Sequence, residues 1–137
     1  MARPDLHRLL YVSSAVQELS ARALEDLLAL ARAKNRARDV SGVLLYADGN
    51  FMQLLEGPRE TVRATFRHIE RDARHHGLIV LLDAPADERL FSQWSMAYSA
   101  ATWGELGDVR AACRTSTHAA VQVLKGFAVN TSRFAIP

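Results

Sequence analysis

A chain of 137 residues, 49% hydrophobic and 23% charged, fits one globular domain and is long enough to bury a real core. No apolar run is long enough to span a bilayer, no signal-peptide core follows Met1–Asp5, and a single cysteine, Cys113, excludes an intrachain disulfide framework and suits a reducing, cytoplasmic compartment. The net charge of +2 comes from arginines scattered along the chain rather than gathered in a stripe, which argues against direct nucleic-acid binding.

His7–Ser13 reads as a first strand, with Leu10 and Val12 on one side and Leu9, Tyr11 and Ser13 on the other. Ser20 is an N-cap for a helix running to about Arg36, with Leu24, Leu27, Leu28 and Ala31 as its buried stripe. Val43–Tyr46 and Phe51–Leu55 flank Asp48-Gly49, a hairpin signal because both residues tolerate positive φ. Gly57-Pro58 opens a second helix with proline at its first position, burying Val62, Phe66, Ile69 and Ala73 and stopping at Gly77. The continuous apolar run Leu78–Leu82 predicts a buried strand, and Trp94–Ser99 a fifth. Two short helices follow, joined near Thr115–Thr117, with Leu106, Val109 and Cys113 on one face of the first and Val121 and Leu124 on the second.

This order predicts an α+β, ferredoxin-like βαββαββ sheet with two crossover helices on one face. The first and third strands become central neighbours. The other face carries Leu10, Val12, Met52 and Leu54, too apolar to stay wet, so the C-terminal helices or a second subunit must cover it.

Three polar residues stand out in this layout. Tyr11 and Gln53 fall in the middle of adjacent central strands, and Asn35 continues the inward stripe of the first helix. Each unpaired buried polar group costs roughly 1–3 kcal/mol. A lone Tyr or Gln in a strand usually pairs with backbone or water, whereas three converging groups point to a shared polar ligand. A phenol and two amides offer donors and acceptors that suit a neutral heteroaromatic edge better than a phosphate or a metal.

Other chemistry is weaker. The five histidines lack metal-site spacing, and His75-His76 read as surface neighbours. There is no GxSxG, GxGxxG or P-loop. Cys113 lies on an apolar stripe and reads as core, while Glu56 with Asp72 could form an acid pair, though nothing in the spacing favours that over surface charge.

At these residues the sequence resembles the BLUF family, the blue-light-using-flavin domains, from about Leu6 to Tyr98. The similarity rests on Leu10-Tyr11-Val12-Ser13-Ser14, Ala31-Arg32-Ala33-Lys34-Asn35 and Ser41-Gly42-Val43-Leu44-Leu45-Tyr46. It continues through Asp48-Gly49-Asn50-Phe51-Met52-Gln53-Leu54-Leu55-Glu56-Gly57, Asp72-Ala73-Arg74-His75 and Phe91-Ser92-Gln93-Trp94-Ser95-Met96. No one piece is decisive; together, in order and at matching spacing, they are specific.

The resemblance implies a light sensor rather than an enzyme, holding a non-covalent flavin, usually FAD with FMN or riboflavin as alternatives, between the crossover helices. It implies Tyr11 as electron donor, hydrogen-bonded to Gln53, whose amide bridges to the flavin ring and ends the photocycle rotated or tautomerised. The spectrum reddens and recovers in the dark. Asn35 contacts the pyrimidine part of the ring, and Lys34, Phe51, Arg74 and His75 complete the matched cofactor positions. Lys34 stands where some members carry His or Asn, and its stem can pack on the ring with the ammonium toward solvent or phosphate. Ser41 replaces the commoner threonine. Trp94 and Met96 match signal-transmission positions on a strand expected beside the one carrying Tyr11.

Residues 1–100 then form the flavin-binding unit, and 101–137 a helical cap in the same domain. The signal passes through those last helices or to a separate protein partner, and a homo-oligomer is a further alternative for the assembly. Two readings compete. A small acylphosphatase-like enzyme needs an arginine-bearing loop after the first strand, which Ser13–Gln17 lacks. A light-indifferent interaction module would be colourless.

Overall fold

The computed structural model describes residues 5–92 and 95–130. In chain order it contains β1 (Leu6–Ala15), α1 (Ala21–Ala37), β2 (Ser41–Ala47), β3 (Asn50–Pro58) and α2 (Arg59–Glu70). There follow β4 (His75–Pro85), β5 (Ala97–Ala100), α3 (Trp103–Thr115) and α4 (Thr117–Asn130). The strands form one sheet in the order β4-β1-β3-β2-β5. Among the described residues only the β2–β5 pair is parallel. The fold is the α+β, ferredoxin-like arrangement that the periodicity predicts.

Period-2 alternation divides the central strands between two cores. Leu9, Tyr11, Phe51 and Leu55 face Leu28 of α1 and Val62 of α2. Leu10, Met52 and Leu54 face Leu106 and Val109 of α3 and Leu124 of α4. The C-terminal helices therefore cover the second sheet face. The β2–β3 hairpin closes through Asp48 and Gly49, both at positive φ (46° and 82°), the geometry of a two-residue primed turn. Ser20 caps α1, its hydroxyl accepting from Ala23 N–H at 3.1 Å. Thr102 and Glu105 form a capping box that starts α3.

Several local expectations give way to tertiary context. Pro58 is the residue before α2 and still belongs to β3. α2 stops at Glu70, so Ala73 is not on its stripe and Gly77 is not its stop. His75 through Gly77 instead open β4, with Gly77 at φ 65°. Leu78–Leu82 is not a buried strand: β4 is an edge strand in which Leu82 is buried while Ile79 and Val80 are about half exposed. An apolar run reports low polarity, not how many neighbours a strand acquires. β5 begins at Ala97 and pairs with β2, at the opposite edge of the sheet from β4, not beside β1. Trp94 lies outside the described residues.

The sheet tolerates no side chain at Gly42. A Cβ there would sit 1.9 Å from the Leu54 carbonyl oxygen of β3, well inside contact distance. Gly42→Ala is expected to destabilise the fold by ~2 kcal/mol or more, read as a lower urea midpoint at unchanged slope. A midpoint equal to that of the parent protein would show that the two strands can part there at no cost.

Candidate functional site

Between α1, α2 and the sheet lies a cleft lined by Tyr11, Lys34, Asn35, Phe51, Gln53, Arg74, His75 and Met96, among others. It exists because α1 does not close onto the sheet. Of its stripe only Leu28 and Asn35 are buried; Leu24, Leu27 and Ala31 remain half-buried. The cleft has a cavity volume of about 150 Å³ and opens to solvent at its mouth.

Its floor is the Tyr11–Gln53 pair. The antiparallel register sets these residues directly opposite each other, and both are nearly fully buried. The Tyr11 hydroxyl donates to Gln53 Oε1. Burial, reinforced by the negative charge of Asp72, raises the Tyr11 pKa far above its ordinary value, so the phenol keeps its proton at any working pH. On its other arm, Gln53 Nε2 donates to Met96 Sδ at 3.5 Å, a weak bond because a thioether is a poor acceptor.

Met96 is held from the opposite wall. Arg32 Nε donates to the Met96 carbonyl at 2.8 Å. Asn35 Nδ2 donates to the Ser95 carbonyl at 2.9 Å. α1 thus fixes the backbone whose side chain meets Gln53. Arg32 was not singled out from the sequence: its position one turn before Asn35 is legible, but the reach of a long side chain across a cleft is not.

His75 is no surface residue. Its Nε2–H donates to the Ile69 carbonyl at 2.6 Å, leaving Nδ1 to accept from the Ser13 hydroxyl at 2.7 Å. Its ring packs edge-on to Tyr11 and Phe51, with centroids 6.3 and 6.4 Å away. The Ser13 partnership had a signal in the sequence, since Ser13 follows Tyr11 on the same face at i+2. His76 is exposed, as expected.

Cations gather at the mouth: Lys34, Arg74 and His68 are exposed and Arg38 is half-buried. Arg74 pairs with Asp72 through contacts of 2.5 to 3.1 Å. Those bonds hold the Asp72 carboxyl down at about 2. Glu56 and Asp72 do not meet. By strand alternation Glu56 lies on the α3–α4 face of β3, and it is fully buried rather than on the surface. Cys113 is half-buried beside the α3–α4 core, its pKa raised by burial. Among the described residues no group of His, Cys, Asp and Glu could hold a metal ion.

An apolar slot, amides at depth and cations at the mouth form one chemical pattern. They can take a flat heteroaromatic ring that hydrogen-bonds along its edge and carries an anionic tail outward.

Comparison with known proteins agrees. The family model BLUF, "Sensors of blue-light using FAD", matches residues 6–97. The chain is 36% identical over 87 residues to photoactivated adenylate cyclase subunit alpha of Euglena gracilis, covering 64% of this chain and 8% of that one. It is 35% identical over 91 residues to the blue light- and temperature-regulated antirepressor BluF of Escherichia coli (strain K12), covering 66% of this chain and 23% of that one. The chain therefore spans less than a quarter of these relatives. The structure of BlsA in its photo-activated state superposes with a TM-score of 0.72 at 30% identity, covering 92% of this chain and 94% of that one.

The Asp72–Arg74 pair makes a pH prediction. An aspartate held at about 2 against an unfolded value near 3.9 adds stability above about pH 4 that is lost as pH falls toward 2. The pair is largely solvent-exposed, so the effect is at most about 1 kcal/mol. Asp72→Asn should remove that part of the decline in a urea titration series from pH 5 to pH 2. An identical acid profile in the variant would show that the pair contributes nothing.

Proposed function

This chain belongs to the BLUF family, the sensors of blue light using FAD, and we propose that Tyr11 and Gln53 are the pair through which it responds to light. The observation that carries the reading is the Tyr11–Gln53 hydrogen bond at the floor of the cleft, with Met96 on the far arm of the same amide.

The fit of the cofactor rests on the donor set already described. Asn35 and Gln53 would hold the polar ring edge, Phe51 and His75 would pack near it, and Lys34 and Arg74 would meet the phosphates. When bound, the flavin supplies the light absorption and the electron-accepting ring. The protein's part is proton placement. Tyr11 is an oxidisable ring whose proton is donated to Gln53 Oε1. The proton's departure and return let the amide exchange its two ends. In the exchanged state Nε2–H donates to Tyr11 Oη and Oε1 turns toward Met96 Sδ. Two acceptors then face each other, and the Met96 contact is lost. One neutral hydrogen bond contributes about 0.5–1.5 kcal/mol, comparable to the 1–3 kcal/mol of an ordinary allosteric coupling. That is enough to bias a segment and too little to unfold a domain.

The proposed output is a change in the segment carrying Met96 and in α3 and α4, read by a separate protein partner. Names such as cyclase and antirepressor belong to the relatives and do not identify that partner. No described helix is long and apolar enough to cross a membrane, and a cytoplasmic location is proposed from the lone cysteine and the light-sensing role.

The purified protein is expected to be yellow, to release FAD on denaturation, and to show a reversible red shift under blue light. Tyr11→Phe conserves ring volume, so it should keep the flavin and lose the shift; a full reversible shift in that variant would remove Tyr11 from the role. Asn35→Ala leaves both a ring-edge partner and the Ser95 carbonyl unpaired. It should lower flavin retention after dialysis by roughly tenfold in affinity, the order of one or two lost hydrogen bonds. Equal occupancy would place the ring elsewhere.

A further inference from the structure

Glu56 is a completely buried carboxylate that the light-responsive pair does not use. Its two oxygens accept from consecutive backbone amides: Oε2 from Leu90 N–H and Oε1 from Phe91 N–H, both at 2.7 Å. Ser41 Oγ–H adds a third bond at 3.3 Å. Arg89, next along the chain, donates to Ser41 Oγ at 2.9 Å, to the Glu56 carbonyl at 3.3 Å and to the Asp39 carbonyl at 2.9 Å. From β1, Arg8 stands opposite Glu56 in register and donates to the Glu88 carbonyl at 2.9 Å.

A carboxylate does not end up here for packing. Burial disfavours its charged form, and the amides, Arg8 and Ser41 counteract that penalty. An apolar residue would cap no amides; a carboxylate satisfies two consecutive orphan donors at once. What those donors belong to is the chain between β4 and β5. Five positions after Phe91 comes Met96, on the other side of the sheet, against Gln53.

We propose that Glu56 is a positioning residue for the photocycle: by clamping Leu90 and Phe91 it fixes one end of the segment whose other end presents Met96 to the Gln53 amide. Gln53 and Glu56 stand on the same strand with opposite facing, so one strand grips both ends of that segment. Lys125 of α4 reaches Glu88 of the same segment at 3.6 Å. The clamp therefore also sets the base from which a change at Met96 is passed to the C-terminal helices. The proposal rests on the light-sensing reading, but the clamp itself has a readout that does not depend on light.

The test uses the flavin-loaded protein in the dark, dilute hydrogen peroxide, and mass spectrometry of methionine sulfoxide. Met96 and Met52 are both fully buried, in opposite cores, so their oxidation ratio separates opening of the segment from global unfolding. Glu56→Gln keeps shape but offers one acceptor where two amides need satisfying. It should raise Met96 oxidation relative to Met52 by about tenfold or more, the scale of one lost hydrogen bond to a charged group. The red shift should keep its amplitude while its dark recovery changes several-fold. Arg89→Gln, which loosens the same segment from its more exposed side, should move the ratio in the same direction by about twofold, and it carries the test if the first variant does not fold. An unchanged Met96 to Met52 ratio overturns the proposal, and so does a raised ratio with unaltered recovery. A parent protein without a red shift would instead overturn the light-sensing reading, and the oxidation ratio would still judge the clamp.

Discussion

The site depends on the antiparallel register between β1 and β3. That register places Tyr11 opposite Gln53, and a slip by one residue would turn either side chain to the α3–α4 face. It is held by apolar residues on both faces, Leu9 and Leu55 toward one core and Leu10 and Leu54 toward the other. A polar pair survives at the centre of this sheet because each member satisfies the other. Both sit deep enough that a lone hydroxyl or amide there would be costly.

Around that pair the protein separates two electrostatic environments. The floor of the cleft is buried, and burial keeps the phenol protonated. The mouth is exposed and cationic, and Arg74 there holds Asp72 ionised. A phenol whose proton is secure, hydrogen-bonded to the Gln53 amide, can move that proton only when something lowers its affinity for it. Oxidation of the ring does so; a modest change of pH does not. The division between a guarded proton and an exposed set of cations matches a cofactor with a ring at one end and phosphates at the other.

The two faces of the sheet are joined by chain as well as by core. The segment between β4 and β5 touches Gln53 and α1 at Ser95 and Met96, and meets β3, β1 and α4 at Glu88 to Phe91. α1 is the loosest partner on the cleft side, since it leaves open the space a ligand would fill. α3 and α4 are packed directly on the opposite face through Leu106, Val109 and Leu124. A change that begins in the cleft can therefore reach those helices by this segment without passing through the packed interior of the sheet.

Much of this was legible in the chain. Alternation in Leu9–Ser13 and Phe51–Leu55, the 3.6-residue stripe ending at Asn35, and the Asp48-Gly49 turn sufficed to predict the sheet, the helix faces and the convergence of Tyr11, Gln53 and Asn35. These are local patterns, and a strand's or helix's period acts over a few residues. The matched BLUF motifs added the roles that periodicity cannot supply. Tertiary structure decided the rest. It made Leu78–Leu82 an edge, because strand order is set by which neighbours remain to be paired. It put β5 beside β2 rather than β1. It buried Glu56, which beside Gly57-Pro58 reads as an exposed charge, because the amides of Leu90 and Phe91, more than thirty residues away, needed an acceptor. Hydrogen-bond partners chosen across that much chain depend on three-dimensional closure, and no local period encodes them.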